Sequence, residues 1–154
     1  HAGLRALGSL RLEKGYRAWG SDIGPDYSPL EAGLGWAVKL RKNLDFQGRA
    51  ALTEQQRKPL TKRLACFTVE GRERVLLGRE TIYRDGERVG WLSSAGWGYT
   101  VGKNIGYGYL RRPAGVDDEF LSSGTYELEV ASERVPCRIE KDVLYDPTNA
   151  RIKA

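Results

Sequence analysis

The sequence predicts an α+β fold in which a partly helical first part is followed by a small antiparallel β-barrel. Residues 1–60 carry helical periodicity and helix-capping residues. Residues 61–154 instead carry roughly six short alternating runs, separated by turn residues at intervals of about 8–12 positions. The change in pattern predicts two domains, 1–60 and 61–154.

The first part contains three local signals. Leu4, Leu7 and Leu10 form a helical stripe over residues 2–13, which runs into the more strand-like LRLEKGYRAW. SPLEAGLGWAVKL begins with Ser28, an N1 proline and Glu31, the residues of a capping box, so we expect a short helix there. DFQGRAALTEQQRK predicts a second helix that ends before Pro59.

The second part has the patterns of strands and hairpins. RLACFTVE is apolar and β-branched, and ETIYRDGERVGWL contains two alternating runs joined at Asp85-Gly86, a dipeptide suited to a tight turn. GTYELEVASERVPCRIEK predicts another hairpin. GWGYTVGKNIGYGYL, with five glycines, predicts either one bulged strand or two short ones in a curved sheet. Pro147 predicts a loose, extended tail.

Composition excludes some classes of protein. The 154 residues are 40% hydrophobic and carry a net charge of +5, and no apolar run approaches the ~20 residues of a membrane span. Cys66 and Cys137 lie in strand-like surroundings, which favours buried free thiols in a reducing compartment. The basic clusters at 39–42 and 57–63 favour a solvated face over a binding patch.

Several kinds of active site are also disfavoured. His1 is the only histidine, so histidine-based triads and metal sites are not expected. A phosphate loop would need glycine at Trp97 and serine or threonine at Asn104. Asp22 and Asp26 lack the spacing of a calcium loop, and a turn is the simpler interpretation.

One carboxylate remains unexplained. Glu13 stands between apolar neighbours at a predicted helix-to-strand junction, where a charge is costly unless it is paired. From the residues alone, a helix cap or an ion pair with Arg11 or Arg17 is favoured. The alternative is a ligand with an amino group and a ring N–H side by side, as in a pterin, which would donate two charge-assisted hydrogen bonds.

The segments SLRLEKGYRAWGSDIGPDYSPLEAGLGWAVKL and DFQGRAAL resemble the glycine-cleavage T-protein (aminomethyltransferase) family, in particular the branch fused to FAD-dependent dimethylglycine and sarcosine dehydrogenases. Three later segments are also similar to this family: TIYRDGERVGWLSSAGWG, VGKNIGYGYL and DPTNARIK. The resemblance implies that residues 1–60 are the end of a folate-binding α/β domain and that residues 61–154 form the T-protein C-terminal barrel.

The resemblance also implies the candidate site. Glu13 would contact the pterin of tetrahydrofolate, with Leu12 and Lys14 beside it. Arg41 and Lys42 are the nearest matches to the family's folate-binding arginine and could attract the negatively charged glutamate tail. Glu13 would orient the pterin and would be neither acid nor base. None of the residues in this chain is expected to be catalytic, because the family's catalytic Asp lies upstream.

Two departures from the family agree with the dehydrogenase-fused branch. Ala150 stands where aminomethyltransferases have a ligand-contacting tyrosine, and Leu76-Leu77-Gly78 stands where they have an arginine. In that branch a flavin domain, not this segment, binds FAD and oxidises an N-methyl amine, and tetrahydrofolate captures the carbon. The upstream half of the same protein would complete the site, so this fragment alone is expected to be inactive; it could also associate with itself.

Two further hypotheses stay open at this point. The high isoelectric point and the aromatic residues among the glycines permit a basic barrel that binds nucleic acid. Against it, the five aromatics from Trp91 to Tyr109 alternate as residues filling a barrel would. The barrel could also be only a structural cap for the folate domain.

The expected location is the cytoplasm, or the mitochondrial matrix in a eukaryote, and no membrane partner is expected.

Overall fold

A computed structural model describes residues 1–42 and 44–153 of the chain. Its core is a six-stranded antiparallel β-barrel with the strand order β1-β4-β3-β2-β5-β6, closed by pairing between β6 and β1. This confirms the predicted α+β fold with a small barrel. The strands are β1 (Lys62–Val69), β2 (Thr81–Arg84), β3 (Glu87–Gly98), β4 (Lys103–Arg111), β5 (Tyr126–Val130) and β6 (Glu133–Glu140). The helices are α1 (Leu4–Glu13), α2 (Arg49–Gln56) and α3 (Asp118–Ser122), with a 3₁₀ turn at Gly35–Ala37.

Tight turns set the register of two hairpins, as the sequence predicts. Asp85 and Gly86 have φ values of 52° and 85°, the left-handed pair that a two-residue primed turn requires between β2 and β3. Ala131 and Ser132 form the corresponding turn between β5 and β6 with φ values of 49° and 67°.

The glycine-rich segment forms two strands rather than one. It supplies the end of β3, a four-residue turn and all but the last residue of β4. Glycine is required at two positions of β4 because β3 packs too closely there for a side chain. A Cβ on Gly106 would lie 2.5 Å from a Leu92 methyl carbon, and one on Gly108 would lie 2.6 Å from the carbonyl oxygen of Trp91. These glycines therefore let β3 and β4 approach closely as the sheet curves.

Two clusters of buried apolar residues lie on opposite sides of the barrel wall. The larger cluster fills the barrel and includes Phe67, Ile82, Leu92, Leu110 and Leu128. The second cluster, here called the outer cluster, comprises Leu12, Leu64, Cys66, Ile105, Tyr107 and Tyr109.

The expectation that the barrel aromatics fill its interior is wrong for four of them. Tyr107 and Tyr109 alternate with the inward-facing glycines of β4, so their rings lie outside the wall in the outer cluster. Trp91 is paired with Tyr109 across the sheet, so its ring lies on the same outer face. Tyr99 is exposed in the turn between β3 and β4.

Helix α1 continues through LRLE, so the strand-like reading of that segment is wrong. The helix ends after Glu13 in a Schellman motif: Tyr16 N–H donates to Arg11 O (2.9 Å), and Gly15 N–H donates to Leu12 O (3.2 Å). Gly15 has φ 72°, the left-handed conformation that this motif needs. Glu13 is therefore the last helical residue and does not begin a strand.

Two other expectations have different outcomes. The capping box forms, because Ser28 N–H donates to Glu31 Oε2 (2.8 Å) and Glu31 N–H donates to Ser28 Oγ (3.2 Å), but it closes only a single turn. The tail after Pro147 is exposed up to residue 153, but it is turned and not extended, since Asn149 N–H donates to Asp146 O (3.0 Å) and Lys153 N–H donates to Asn149 O (3.2 Å).

Candidate functional site

The candidate site lies where the end of α1 meets the outer face of β3 and β4. Glu13 is 2% exposed, and its Oε1 accepts hydrogen bonds from the backbone N–H groups of Thr100 (2.6 Å) and Val101 (3.2 Å) in the β3–β4 turn. No ion pair of Glu13 occurs within residues 1–42 and 44–153. Neither the helix cap nor the ion pair expected from the residues alone is the role that the structure gives this carboxylate.

Leu12 lies on the same side of α1 and belongs to the outer cluster. Its side chain is 2% exposed, and its carbonyl oxygen accepts from Tyr107 Oη (3.3 Å). Its described contacts therefore attach α1 to the barrel.

Lys14 lines a cleft of about 490 Å³ immediately beyond α1. Its Nζ donates to Asp146 O (2.5 Å) and Oδ2 (3.0 Å), which draws the tail against the helix. Burial alone would raise the pKa of Asp146, but hydrogen bonds from Lys14, Arg151 and Ala150 outweigh it and lower that pKa. The rest of the cleft is largely apolar, although Arg17 and Asn149 also line it. Its apolar and aromatic residues are Tyr16, Ile23, Leu34, Trp36, Val143 and Pro147.

Arg41 and Lys42 lie outside this arrangement. Both are exposed, and neither lines the cleft at Lys14. The structure thus brings Leu12, Glu13 and Lys14 together through consecutive positions of α1 and its cap, but it does not bring the two basic residues to them.

Sequence reasoning missed a second buried carboxylate, because it treated Asp22 only as a turn residue. Asp22 is fully buried: Arg11 and the Ala18 N–H donate to Oδ2 (2.5 and 3.0 Å), while the hydroxyls of Ser93 and Ser94 donate to Oδ1 (2.5 and 2.6 Å). The polar context GSDIGP gives no signal for this burial. The four donors make Asp22 a polar link between α1 and β3.

A larger cavity of about 530 Å³ lies on the other side of Arg17, between β1, α3 and the end of β6. Its charged lining is mixed, with three basic residues (Arg17, Arg63, Lys141) and four acidic ones (Asp118, Glu119, Glu140, Asp142). Cys66 borders it, and burial raises the pKa of this thiol to about 12. The thiol is therefore protonated at neutral pH and is a poor nucleophile.

The described residues give little support to other classes of site. The rings of Tyr107 and Tyr109 are buried and cannot stack on bases, so the nucleic-acid alternative is not supported. Within those residues no group of three or more His, Cys, Asp or Glu is placed to hold a metal ion. None of the helices in the described part has the length and apolar character that a membrane crossing demands.

Comparison with known proteins agrees with this architecture. Residues 62–146 match the model of the glycine cleavage T-protein C-terminal barrel domain, and residues 1–42 match that of the GCVT N-terminal domain. Among solved structures, aminomethyltransferase T of the Bartonella henselae glycine cleavage system superposes with a TM-score of 0.79 at 23% identity, covering 95% of this chain and 40% of that one. At that identity the likeness concerns the fold.

Relatives of higher identity are longer proteins. The chain is 44% identical to mitochondrial sarcosine dehydrogenase of Mus musculus over 155 residues, and 35% identical to mitochondrial dimethylglycine dehydrogenase of Rattus norvegicus over 154. These alignments cover 99% and 98% of the chain, which spans 17% of the length of each relative. The chain belongs to the glycine cleavage T-protein family and corresponds to the T-protein-like module of these dehydrogenases.

Proposed function

We propose that the chain is the tetrahydrofolate-binding part of a one-carbon transfer module within a longer N-methyl amine dehydrogenase. The observation that carries the proposal is Glu13, a buried carboxylate without an ion pair among the described residues, held by two backbone amides at the end of α1. The next residue, Lys14, lines a largely apolar cleft. Such a carboxylate keeps an acceptor oxygen, Oε2, for which a ligand can supply the missing donors.

The residues fit a pterin in a specific way. Two N–H groups already occupy Oε1 of Glu13, so the donors of a ligand would go to Oε2. Because Glu13 is only 2% exposed, the ring would have to enter along the seam between α1 and the β3–β4 turn. Leu12 would hold this end of α1 against the barrel through its packing in the outer cluster.

Lys14 and the cleft would hold the rest of the ligand. The apolar sides of Tyr16 and Trp36 suit a flat aromatic group, and Lys14 supplies a positive charge whose position is fixed by Asp146. Arg41 and Lys42, which lie outside the cleft, would attract the carboxylates of the glutamate tail at longer range, and added salt would weaken that attraction.

The chemistry would be shared with the rest of the longer protein. Bound tetrahydrofolate supplies the amine groups that accept a one-carbon unit, and this chain would bind and orient it. An N-methyl amine substrate, an FAD-binding domain and the groups that move protons would belong to other parts of that protein. The division into domains 1–60 and 61–154, and a cytoplasmic or mitochondrial matrix location, belong to the same proposal.

The exposed face of α1 supports the existence of a partner region. Leu4, Leu7 and Leu10 are 87%, 60% and 57% exposed and lie along one side of the helix, opposite the side that packs on the barrel. A helix with apolar residues on both sides is usually packed against other protein segments on both sides. We assign the outer side of α1 to contact with another region of the longer protein, and self-association of the fragment through this side would be a substitute for that contact.

The proposal can be tested on the 154-residue chain by NMR titration with 5-formyltetrahydrofolate, a stable folate. We expect amide shift changes around Glu13, Lys14 and Thr100, and Glu13→Gln should weaken affinity by about tenfold or more, as the loss of a charge-assisted hydrogen bond does. Glu54→Gln, an exposed change on α2, is the matched control and should leave affinity unchanged. Equal affinity of Glu13→Gln and the wild type would contradict the proposal. Because another part of the longer protein completes the site, absence of shifts with the chain alone calls for the same titration of the longer protein, where absence of binding would contradict it.

A further inference from the structure

The turn between β3 and β4 lies directly against the end of α1. Its residues Thr100 and Val101 donate their backbone N–H groups to the same oxygen of Glu13, at 2.6 and 3.2 Å. Two donors match the two lone pairs of a carboxylate oxygen, so Oε1 has a single favoured position.

The backbone that carries Glu13 is held as well. Ser9 Oγ donates to Trp97 O (2.7 Å) one turn earlier in α1, and Tyr145 N–H donates to Glu13 O (3.0 Å) from the tail. The helical turn before Glu13 and the carbonyl group of Glu13 are therefore both fixed relative to the barrel.

Gly98 provides the space that the carboxylate occupies. A Cβ at this position would lie 3.0 Å from Glu13 Oε1, 2.6 Å from Ile105 Cδ1 and 2.7 Å from Val101 Cγ2. All three are atoms of side chains, so an added methyl group would displace them rather than break the backbone of the strand.

We infer that the β3–β4 turn, from Gly98 to Gly102, is the positioning element for Glu13. It fixes Oε1 and thereby aims Oε2 at the ligand. This inference rests on the proposed function, in which Glu13 contacts the folate. It gives the barrel a part in ligand binding in addition to closing the fold.

The test is a double-mutant cycle on the full chain, with affinity for 5-formyltetrahydrofolate measured by NMR in the wild type, Glu13→Gln, Gly98→Ala and the double variant. We expect Gly98→Ala to weaken binding by roughly tenfold and the double variant to bind no more weakly than Glu13→Gln alone, because residues acting as a unit are not additive. Gly8→Ala in α1 is the matched control: no atom lies within 4 Å of its added Cβ, and affinity should stay unchanged.

A second variant removes only the hydrogen-bond donor. Replacing Thr100 by its α-hydroxy acid exchanges the N–H for an ester oxygen and keeps the side chain, and it should weaken binding as Gly98→Ala does. Full affinity in both variants, or effects that add to that of Glu13→Gln, would overturn the inference while leaving the proposed function intact. If Glu13→Gln itself binds normally, the proposed function fails instead.

Discussion

Two buried carboxylates fasten α1 and the loop after it to the barrel, and they are bonded differently. Asp22 accepts hydrogen bonds on both oxygens, from Arg11 and Ala18 on one and from Ser93 and Ser94 on the other. Its charge is neutralised by the guanidinium 2.5 Å away. These four hydrogen bonds use all the acceptor capacity of this carboxylate.

Glu13 differs in both respects. Its described side-chain hydrogen bonds end on Oε1 alone, and within residues 1–42 and 44–153 it has no cationic partner. Backbone amides stabilise its charge but leave one oxygen with acceptor capacity. Burial alone therefore does not separate the two carboxylates. The unused acceptor of Glu13 does, and it is what the proposed ligand contact requires.

Removing the saturated carboxylate should have the largest effect on stability. Asp22→Ala leaves Arg11 and two serine hydroxyls without their acceptor, and we expect the free energy of unfolding in urea to fall by about 3 kcal/mol. Asp26→Ala, in the same loop but exposed, should change it by less than about 0.5 kcal/mol. Similar effects for the two variants would show that the hydrogen bonds to Asp22 contribute little.

The two faces of α1 give the next comparison. Leu12→Ala opens a cavity in the outer cluster and should cost about 2–3 kcal/mol in urea denaturation. Leu10→Ala removes a side chain that is 57% exposed and should cost less than about 0.5 kcal/mol. A large loss for Leu10→Ala would mean that this face is already covered in the chain, for instance by a second copy.

Local signals were sufficient to predict most of the fold. The Asp85-Gly86 turn, the apolar run of β1 and the alternation in β5 and β6 depend on neighbouring residues, and all of them form as expected. The capping box at Ser28 forms too, but it closes a single turn instead of the expected helix. The direction of the β4 tyrosines was missed because alternation gives two faces without saying which one is inside. Here a second apolar surface, that of α1, made the outer face a buried one.

The candidate site could be predicted only in part for a similar reason. The resemblance singled out Glu13, but its partners Thr100 and Val101 are 87 and 88 residues away in sequence, and backbone donors leave no trace in residue type. Asp22 was missed because its four donors come from three separate segments. Long-range polar bonds of this kind become visible only when the barrel is closed.

Neutralising Glu13 should destabilise the protein less than removing Asp22. In Glu13→Gln the amide oxygen can still accept from the β3–β4 turn, so only the charge-assisted share of those bonds is lost, about 1 kcal/mol in urea denaturation. This loss is somewhat below the 1.4 kcal/mol, or about tenfold, expected for folate affinity. A loss as large as that of Asp22→Ala would place Glu13 among the structural carboxylates.

The smallest effect concerns a third ionisable group of this interface, the Cys66 thiol, for which the effect of burial on the pKa outweighs that of a hydrogen bond from Tyr107. Burial raises its pKa from 9.0 to about 12, so the thiol stays protonated in the folded chain while it ionises in the unfolded one. Its contribution to stability is complete below pH 9 and is lost as the pH rises towards 12.

From pH 8 to pH 9.5 the wild type should lose about 0.8 kcal/mol more than Cys66→Ala, as linkage requires for a thiol that ionises only when unfolded. Because each variant is compared with itself at the two pH values, the packing cost of the substitution cancels. Cys137→Ala, whose thiol also has its pKa raised to about 12, should behave in the same way. If the stability of the wild type and of Cys66→Ala depended equally on pH, the folded interface would stabilise the Cys66 thiolate. Stabilisation of a buried negative charge would then not be a property that distinguishes Glu13.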